Sequence, residues 1–336
     1  MFTGPGMMEL LDMPEPDVAE GDVLVHVRSA GICGSELHGA RHPGFRVPPL
    51  IMGHEFAGVS DEGSPVIINP ILSCGECDLC ARGLRHVCRR RAIIGVHRAG
   101  GFAERVAVPR SALRPLPGQL SWDAAAVVEP AANAVHAWGL AGGARDKRVA
   151  VLGCGAIGLL CLLVALAEGA AAVEVTDLAP GRLAVAGQLG ATAVLTEPEG
   201  EYDVIIEAVG SAATRAQSVA HQRPGGAAVW LGLHEPPSGF DGQDLVRGEK
   251  QVLGSFAYSD EEFSRAAELV RGWDLSWVSP YPLADGAEVF TGLMNGGQHP
   301  VKATLRPAAG DAAPKQPALP PREGRAAALN KGLNRP

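Results

Sequence analysis

The chain changes its hydrophobic rhythm along its length. From about residue 22 to Pro117, short apolar runs are cut repeatedly by Gly and Pro, and Val23-Leu24-Val25-His26-Val27-Arg28 has the composition of a strand. This predicts a β-rich first region. The segment SWDAAAVVEPAANAVHAWGL then predicts a helix, with Ser121 as its N-cap and Asp123 in the first turn, where the helix dipole favours a negative charge. From Arg148 strand-like and helix-like stretches alternate, the signature of a parallel sheet, with strands expected at Arg148–Leu152, Val173–Asp177, Val204–Val209 and Ala228–Leu231. That rhythm fades after Gly254. The domains expected are therefore 1–140 with 259–306, and 141–258 between them. Residues 307–336 (PAAGDAAPKQ and onward) reduce to Ala, Pro, Gly and charge, which cannot offset the entropy of ordering, so a disordered tail is expected. No internal repeat is present.

Composition narrows the classes. The 336 residues suffice for two domains and a sizeable core. A net charge of −8 with a pI near 5.7 argues against a nucleic-acid or anionic-membrane partner. The opening MFTGPGMMELLDMPEP lacks a basic segment followed by an apolar one, so a secretory leader is not expected. The longest apolar run, Ala156 to Ala167, falls short of the roughly 20 residues that a membrane span needs. A cytoplasmic protein is expected.

Four cysteines crowd one stretch, SCGECDLCARGLRHVC: Cys74, Cys77, Cys80 and Cys88. Their spacing brings four thiolates within reach of one tetrahedral ion, the closed set of a structural zinc. The bacterial iron–sulfur run ends in a cysteine three residues on, followed by proline. Here seven residues precede Cys88, and Arg89 follows it. Disulfides would not persist in a reducing compartment. Zinc is the expectation.

The motif GCGAIG (Gly153, Gly155, Gly158) directly follows the strand RVAVL and opens an apolar helix, the context that makes it a dinucleotide fingerprint. Gly153 permits the tight turn, Gly155 admits the pyrophosphate, and Gly158 lets helix pack on strand. Ala156 and Ile157 open the helix, whose N-terminus offers unpaired N–H groups to phosphate. Asp177, 19 residues past Gly158, suits a ribose diol and would repel a 2′-phosphate; Arg182 is grouped with the same site. NAD rather than NADP is expected. A third constellation, Cys33 in GICGSELH, His54 and Glu55 in GHEFAG, and Glu129 in VVEPAANAVHA, has the ligand types of a catalytic zinc with an open position. Taken alone, those residues equally fit a packed cysteine and a hydrogen-bonded His-Glu turn.

In order and spacing, these motifs together with GVHRAGGFAE resemble the zinc-dependent medium-chain dehydrogenases, and most of all their sorbitol, threonine and butanediol branch. The resemblance covers residues 2 to about 306. It implies an α/β protein with a GroES-like, β-rich catalytic domain and a Rossmann, doubly wound cofactor domain, the active site lying between them. It implies two zinc ions and NAD, a small-molecule alcohol as substrate, and a homodimer or homotetramer. Cys33 and His54 would be catalytic zinc ligands. Glu55 and Glu129 would be the two carboxylates that bind the metal or its water, with Glu129-Pro130 the polyol and threonine variant. Ser35 would contact the alcohol, and His38 would pass the proton outward. Metal chemistry suits the task, since zinc lowers the pKa of bound water from 15.7 to about 7. Hydride would pass from the alcohol carbon to nicotinamide C4. With one thiolate and one carboxylate, the site would be formally neutral.

Several departures limit the transfer. Glu36 stands where the family has aspartate, and the longer side chain is expected to shift its loop. The chain starts late on the first strand, and the segment between Gly58 and Pro65 is short. Ala257 replaces the arginine that sorbitol dehydrogenases place before the equivalent of Tyr258, which removes donors a polyol could use. His97 and Arg98 either face the pocket or solvent; Arg41, His42 and Phe45 are candidates to line the entrance. The alternatives to a zinc dehydrogenase are a zinc-free reductase of the same fold acting on an activated double bond, and a non-catalytic nucleotide or redox sensor.

Overall fold

The computed structural model describes residues 1–41, 46–234, 239–296 and 300–308. The expected tail, His42 and Phe45 lie outside or almost wholly outside these residues. In the first region the alternation in Asp22–Gly31 becomes a ten-residue strand whose buried positions include Val23, Val25 and Val27. It lies in a seven-stranded sheet, ordered 278–282, 302–306, 22–31, 55–60, 65–68 and 113–115, with 105–109 also pairing to 22–31. Two strands from beyond residue 259 thus join the sheet of the N-terminal region, Thr304 opposite Gly31. Strand 55–60 pairs antiparallel with 22–31, setting Glu55 opposite Gly31.

The second region is a six-stranded sheet, ordered 193–195, 172–176, 148–152, 202–207, 222–230 and 251–254. All its pairings are parallel. Chain order reverses between 148–152 and 202–207, the switch point outside whose carboxyl ends such sheets bind ligands. The strands 193–195 and 251–254 were not evident from the sequence, being short and weakly patterned.

A 19-residue helix, Trp122–Leu140, joins the regions and spans the segment expected from the sequence. Ser121 caps it, its side chain accepting from the Ala124 amide. Near its start Asp123 accepts from Ser29 (2.7 Å) and Thr304 (2.8 Å) of the first sheet. Near its end the Trp138 indole donates to the Cys161 carbonyl at 2.9 Å. One apolar cluster runs from Ala57 and Ile67 through Val127, Ala131 and Trp138 to Val149 and Leu160. Glu129 is thereby fixed at the middle of a rod anchored at both ends. No described helix is long and apolar enough to cross a membrane.

Candidate active site and metal centres

The four-cysteine stretch folds on itself. The short helix Asp78–Ala81 carries Cys80, and a single 3-10 turn, Arg85–Val87, delivers Cys88. The sulfurs lie 3.4 Å (Cys74–Cys88), 3.6 Å (Cys77–Cys80), 3.7 Å (Cys77–Cys88) and 3.9 Å (Cys74–Cys80) apart. A tetrahedron with metal–sulfur bonds of about 2.3 Å has edges of roughly 3.8 Å. A disulfide needs about 2.05 Å. All seven cysteines of the chain are free. The donor set and its spacing therefore fit zinc.

The second cluster is assembled by distant segments. Donor atoms of Cys33, His54 and Glu55 lie within 4.8 Å of one another. Cys33 ends the turn before the helix Gly34–Arg41, and the Ser35 hydroxyl lies 3.3 Å from its sulfur. His54 is held from behind: its Nδ1 lies 2.9 Å from Glu36, leaving Nε2 for the cluster. That carboxylate also accepts from the amides of Gly53 (2.9 Å) and Cys33 (3.0 Å). Burial opposes a charge on both partners, yet Glu36 and the Cys33 sulfur raise the His54 pKa well above its ordinary value, and His54 lowers that of Glu36. The longer side chain at 36 is held within this turn. It turns inward, fully buried, and orients a candidate ligand, the role a carboxylate takes behind a metal-binding histidine.

Two carboxylates face this cluster with different partners. Glu55 is ion-paired with buried Lys302, which also donates to the Ile32 carbonyl at 2.9 Å. Glu129 lies outside the tight set, its Oε1 accepting from the Tyr258 hydroxyl at 2.7 Å. Burial pushes the Glu129 pKa up to about 7, with Glu55 adding to the rise and His54 opposing it. Tyr258 follows Ala257, a non-glycine residue at φ +56° that turns the chain toward Glu129. Lys302 and Glu36 add one charge of each sign beside this cluster.

At the glycine motif, Gly153 has φ +101°, and a Cβ on Gly158 would stand 1.7 Å from the Gly153 carbonyl. Gly155 differs: nothing lies within 4 Å of where its Cβ would be, so the space before it is open. It N-caps the helix Ala156–Glu168. The Asp177 carboxylate accepts from the Cys154 amide at 2.7 Å and the Ala179 amide at 2.8 Å, and Arg182 lies 4.0 Å away. An open cradle with a carboxylate at its rim fits a dinucleotide.

Residues 19–118 match the alcohol dehydrogenase GroES-like domain, and residues 156–272 match the zinc-binding dehydrogenase domain. An L-threonine 3-dehydrogenase of Streptomyces coelicolor is 36% identical over 303 residues, 82% of this chain and 88% of the relative. The L-galactonate-5-dehydrogenase of Escherichia coli is 30% identical over 306 residues, 82% of this chain and 88% of its own. A zinc-binding dehydrogenase from Sinorhizobium meliloti, solved with NADP, superposes with a TM-score of 0.85 at 30% identity, over 91% of this chain and 98% of its own. The chain belongs to the zinc-binding alcohol dehydrogenases.

In this dehydrogenase the structure brings Cys33, Ser35, His54, Glu55 and Glu129 toward one place. His38 sits farther along its helix, its ring 6.4 Å from that of His234 on the cofactor-domain side. Arg98 is committed elsewhere, to Asp22 at 2.6 Å and the Ala107 carbonyl at 3.0 Å, while His97 accepts from the Ile93 amide. A separate cleft of about 690 Å³ is lined by Leu10, Leu11, Met13, Phe102 and Tyr281 among others, none of them a candidate ligand. Sequence reading missed Lys302, Arg46 and the inward role of Glu36. An isolated lysine in a strand and an arginine in a loop carry no local signal. For Glu36, its place three residues after Cys33 was a hint.

Proposed function

We propose that this dehydrogenase oxidises a secondary alcohol of a polyol, diol, sugar acid, cyclitol or hydroxy amino acid, with NAD as acceptor and two zinc ions per chain. The observation that carries the reading is the convergence of Cys33, His54 and Glu55 donors within 4.8 Å. A zinc-free reductase has no use for such a set. Cys33, His54 and Glu55 would hold the catalytic ion, and Cys74, Cys77, Cys80 and Cys88 the structural one. Bound zinc would acidify the alcohol, and NAD would accept the hydride. Glu36 keeps His54 turned to the metal. Ser35, with its hydroxyl 3.3 Å from the Cys33 sulfur, would meet the alcohol oxygen, and His38 would carry its proton outward. Glu129, with a pKa near 7, can accept a hydrogen bond or a proton at neutral pH while Tyr258 fixes its orientation.

Gly153, Gly155, Ala156, Ile157 and Gly158 would cradle the pyrophosphate. Asp177 favours NAD, because a carboxylate at the ribose repels a 2′-phosphate, although the S. meliloti relative was solved with NADP. Arg182, 51% exposed and paired with Asp177, is already partly neutralised and weakly recruits a phosphate. The catalytic domain is assigned to 1–140 and 259–306 and the cofactor domain to 141–258, in a cytoplasmic homodimer or homotetramer. The test is absorbance at the nicotinamide band with L-threonine, L-galactonate, 2,3-butanediol, sorbitol and inositol, each with NAD and with NADP. Turnover of one of these with NAD favoured is the expected outcome. A preference for NADP would overturn the cofactor assignment, and reduction of activated alkenes without alcohol oxidation would overturn the reaction.

A further inference from the structure

The candidate catalytic cluster gathers an unusual amount of buried charge. Glu36 (0% exposed), Glu55 (1%) and Glu129 (8%) are buried carboxylates, and Arg46 (2%) and Lys302 (3%) are buried cations. Cys33 adds a half-buried thiolate once a metal is bound. With Glu129 counted as ionised, four negative groups against two positive ones leave a formal −2, the charge that a divalent cation cancels. Lys302 has a visible partner in Glu55. Arg46 is the less expected member. Its Nη1 donates to the Ser35 carbonyl at 2.7 Å, so it grips the turn that carries Cys33 and leads into Glu36.

Arginine is almost never fully buried unless its charge is answered. The acid beside it is Glu36, which occupies the position where the wider family has aspartate. Glu36 accepts from the Cys33 amide at 3.0 Å and the Gly53 amide at 2.9 Å and stands 2.9 Å from His54 Nδ1, the surroundings of an anion behind His54, with the Arg46 charge acting on it as well. An anion there sets which ring nitrogen of His54 faces the metal.

We propose that Arg46 is a charge-balancing and positioning residue of the metal centre: with Lys302 it offsets two of the four acidic groups, so that the site presents the −2 a divalent cation neutralises, while its bond to Ser35 fixes the turn bearing Cys33. The proposal rests on the metal-site reading above.

The test is zinc affinity by competition with a chromophoric chelator, together with thermal unfolding of the full chain. Cys33→Ser gives the signal of the lobe ion alone. Glu36→Gln leaves the site at −1 and should lose catalytic-site zinc about ten-fold more readily. Arg46→Met leaves −3; it should hold zinc at least as tightly as wild type but unfold at lower temperature. Arg46→Lys keeps the charge and should retain zinc like wild type. The double variant Glu36→Gln with Arg46→Met returns to −2, and it should recover most of the affinity lost in Glu36→Gln and unfold at a higher temperature than that variant. A double variant that holds zinc no better than Glu36→Gln, or fails to fold where Glu36→Gln folds, would overturn the proposal. If Arg46→Met alone does not fold, the comparison of Glu36→Gln with the double variant still decides. A wild-type protein with one zinc per chain would overturn the metal-site reading, and this inference with it.

Discussion

The two cysteine-bearing clusters of this dehydrogenase solve the same problem, gathering donors for a cation, by opposite means. In the lobe, Cys74 to Cys88 come from one short stretch, with a single helical turn and tight bends bringing their sulfurs 3.4–3.9 Å apart. Two of the four are only half-buried, and the surrounding side chains, such as Arg89 on Asp78, are exposed ion pairs worth little. Here the ion would hold the chain. In the catalytic cluster the chain would hold the ion. Cys33, His54 and Glu55 are delivered by a helix start and a strand edge, and each is fixed by a partner: half-buried Ser35, and buried Glu36 and Lys302. A site that must keep a coordination position open cannot rely on its metal for shape, so the fold supplies the rigidity.

Substitution in the lobe should give the largest effect. Cys77→Ser removes one of four donors from a segment with little core of its own, and structural zinc contributes folding energy outright. The expected outcome is loss of soluble folded protein or a transition tens of degrees lower by circular dichroism; a wild-type melting curve would contradict the lobe's dependence on metal.

Lys302→Met separates the clusters in the other direction. It leaves Glu55 buried without its cation, a change worth about 3–5 kcal/mol. The protein should unfold at lower temperature and regain stability in Lys302→Met with Glu55→Gln, while the lobe keeps its zinc. No gain in the double variant would show that the pair is not energetically coupled.

Glu129 provides a pH test in protein that keeps the lobe ion but holds none at the catalytic cluster. Its folded pKa, about 7, lies above the ordinary carboxyl value of 4.5. Between those values the folded state keeps a proton that the unfolded chain has lost, so this group makes stability fall as pH rises through the window, and contributes no further change above it. The shift amounts to about 3 kcal/mol at 1.36 per unit. Glu129→Gln should flatten that slope in chemical denaturation from pH 4.5 to 7. An unchanged slope would show that Glu129 is not carrying the buried charge.

The smallest expected effect is on the cofactor. Asp177→Ser should raise the Michaelis constant for NAD about ten-fold and narrow its preference over NADP, with turnover at saturation little changed. A fall in turnover alone would place Asp177 in the folding of the glycine loop, where it already bonds the Cys154 amide.

What the sequence revealed divides along the same line. The cysteine spacing and GCGAIG are local, the latter with Gly158 packed on the Gly153 carbonyl five residues back, so both were legible. So was the Ser121 cap. The supports of the catalytic cluster were not. Lys302 meets Glu55 across 247 positions and Tyr258 meets Glu129 across 129, distances over which no periodicity carries information. Glu36 was noticed as a departure, but its inward partner was not, because an extra methylene gives no sign in the sequence of which group it reaches. Arg98 shows the converse: a promising charge near the right motif is spent on Asp22.

The most direct test of the account is the zinc content of purified wild-type and Cys33→Ser protein by elemental analysis, alongside their circular dichroism. Two ions per wild-type chain, and one in a Cys33→Ser protein that is folded but inactive, is the result predicted for a fold-held catalytic site beside an ion-held lobe. One ion in wild type, or two retained in active Cys33→Ser, would contradict it.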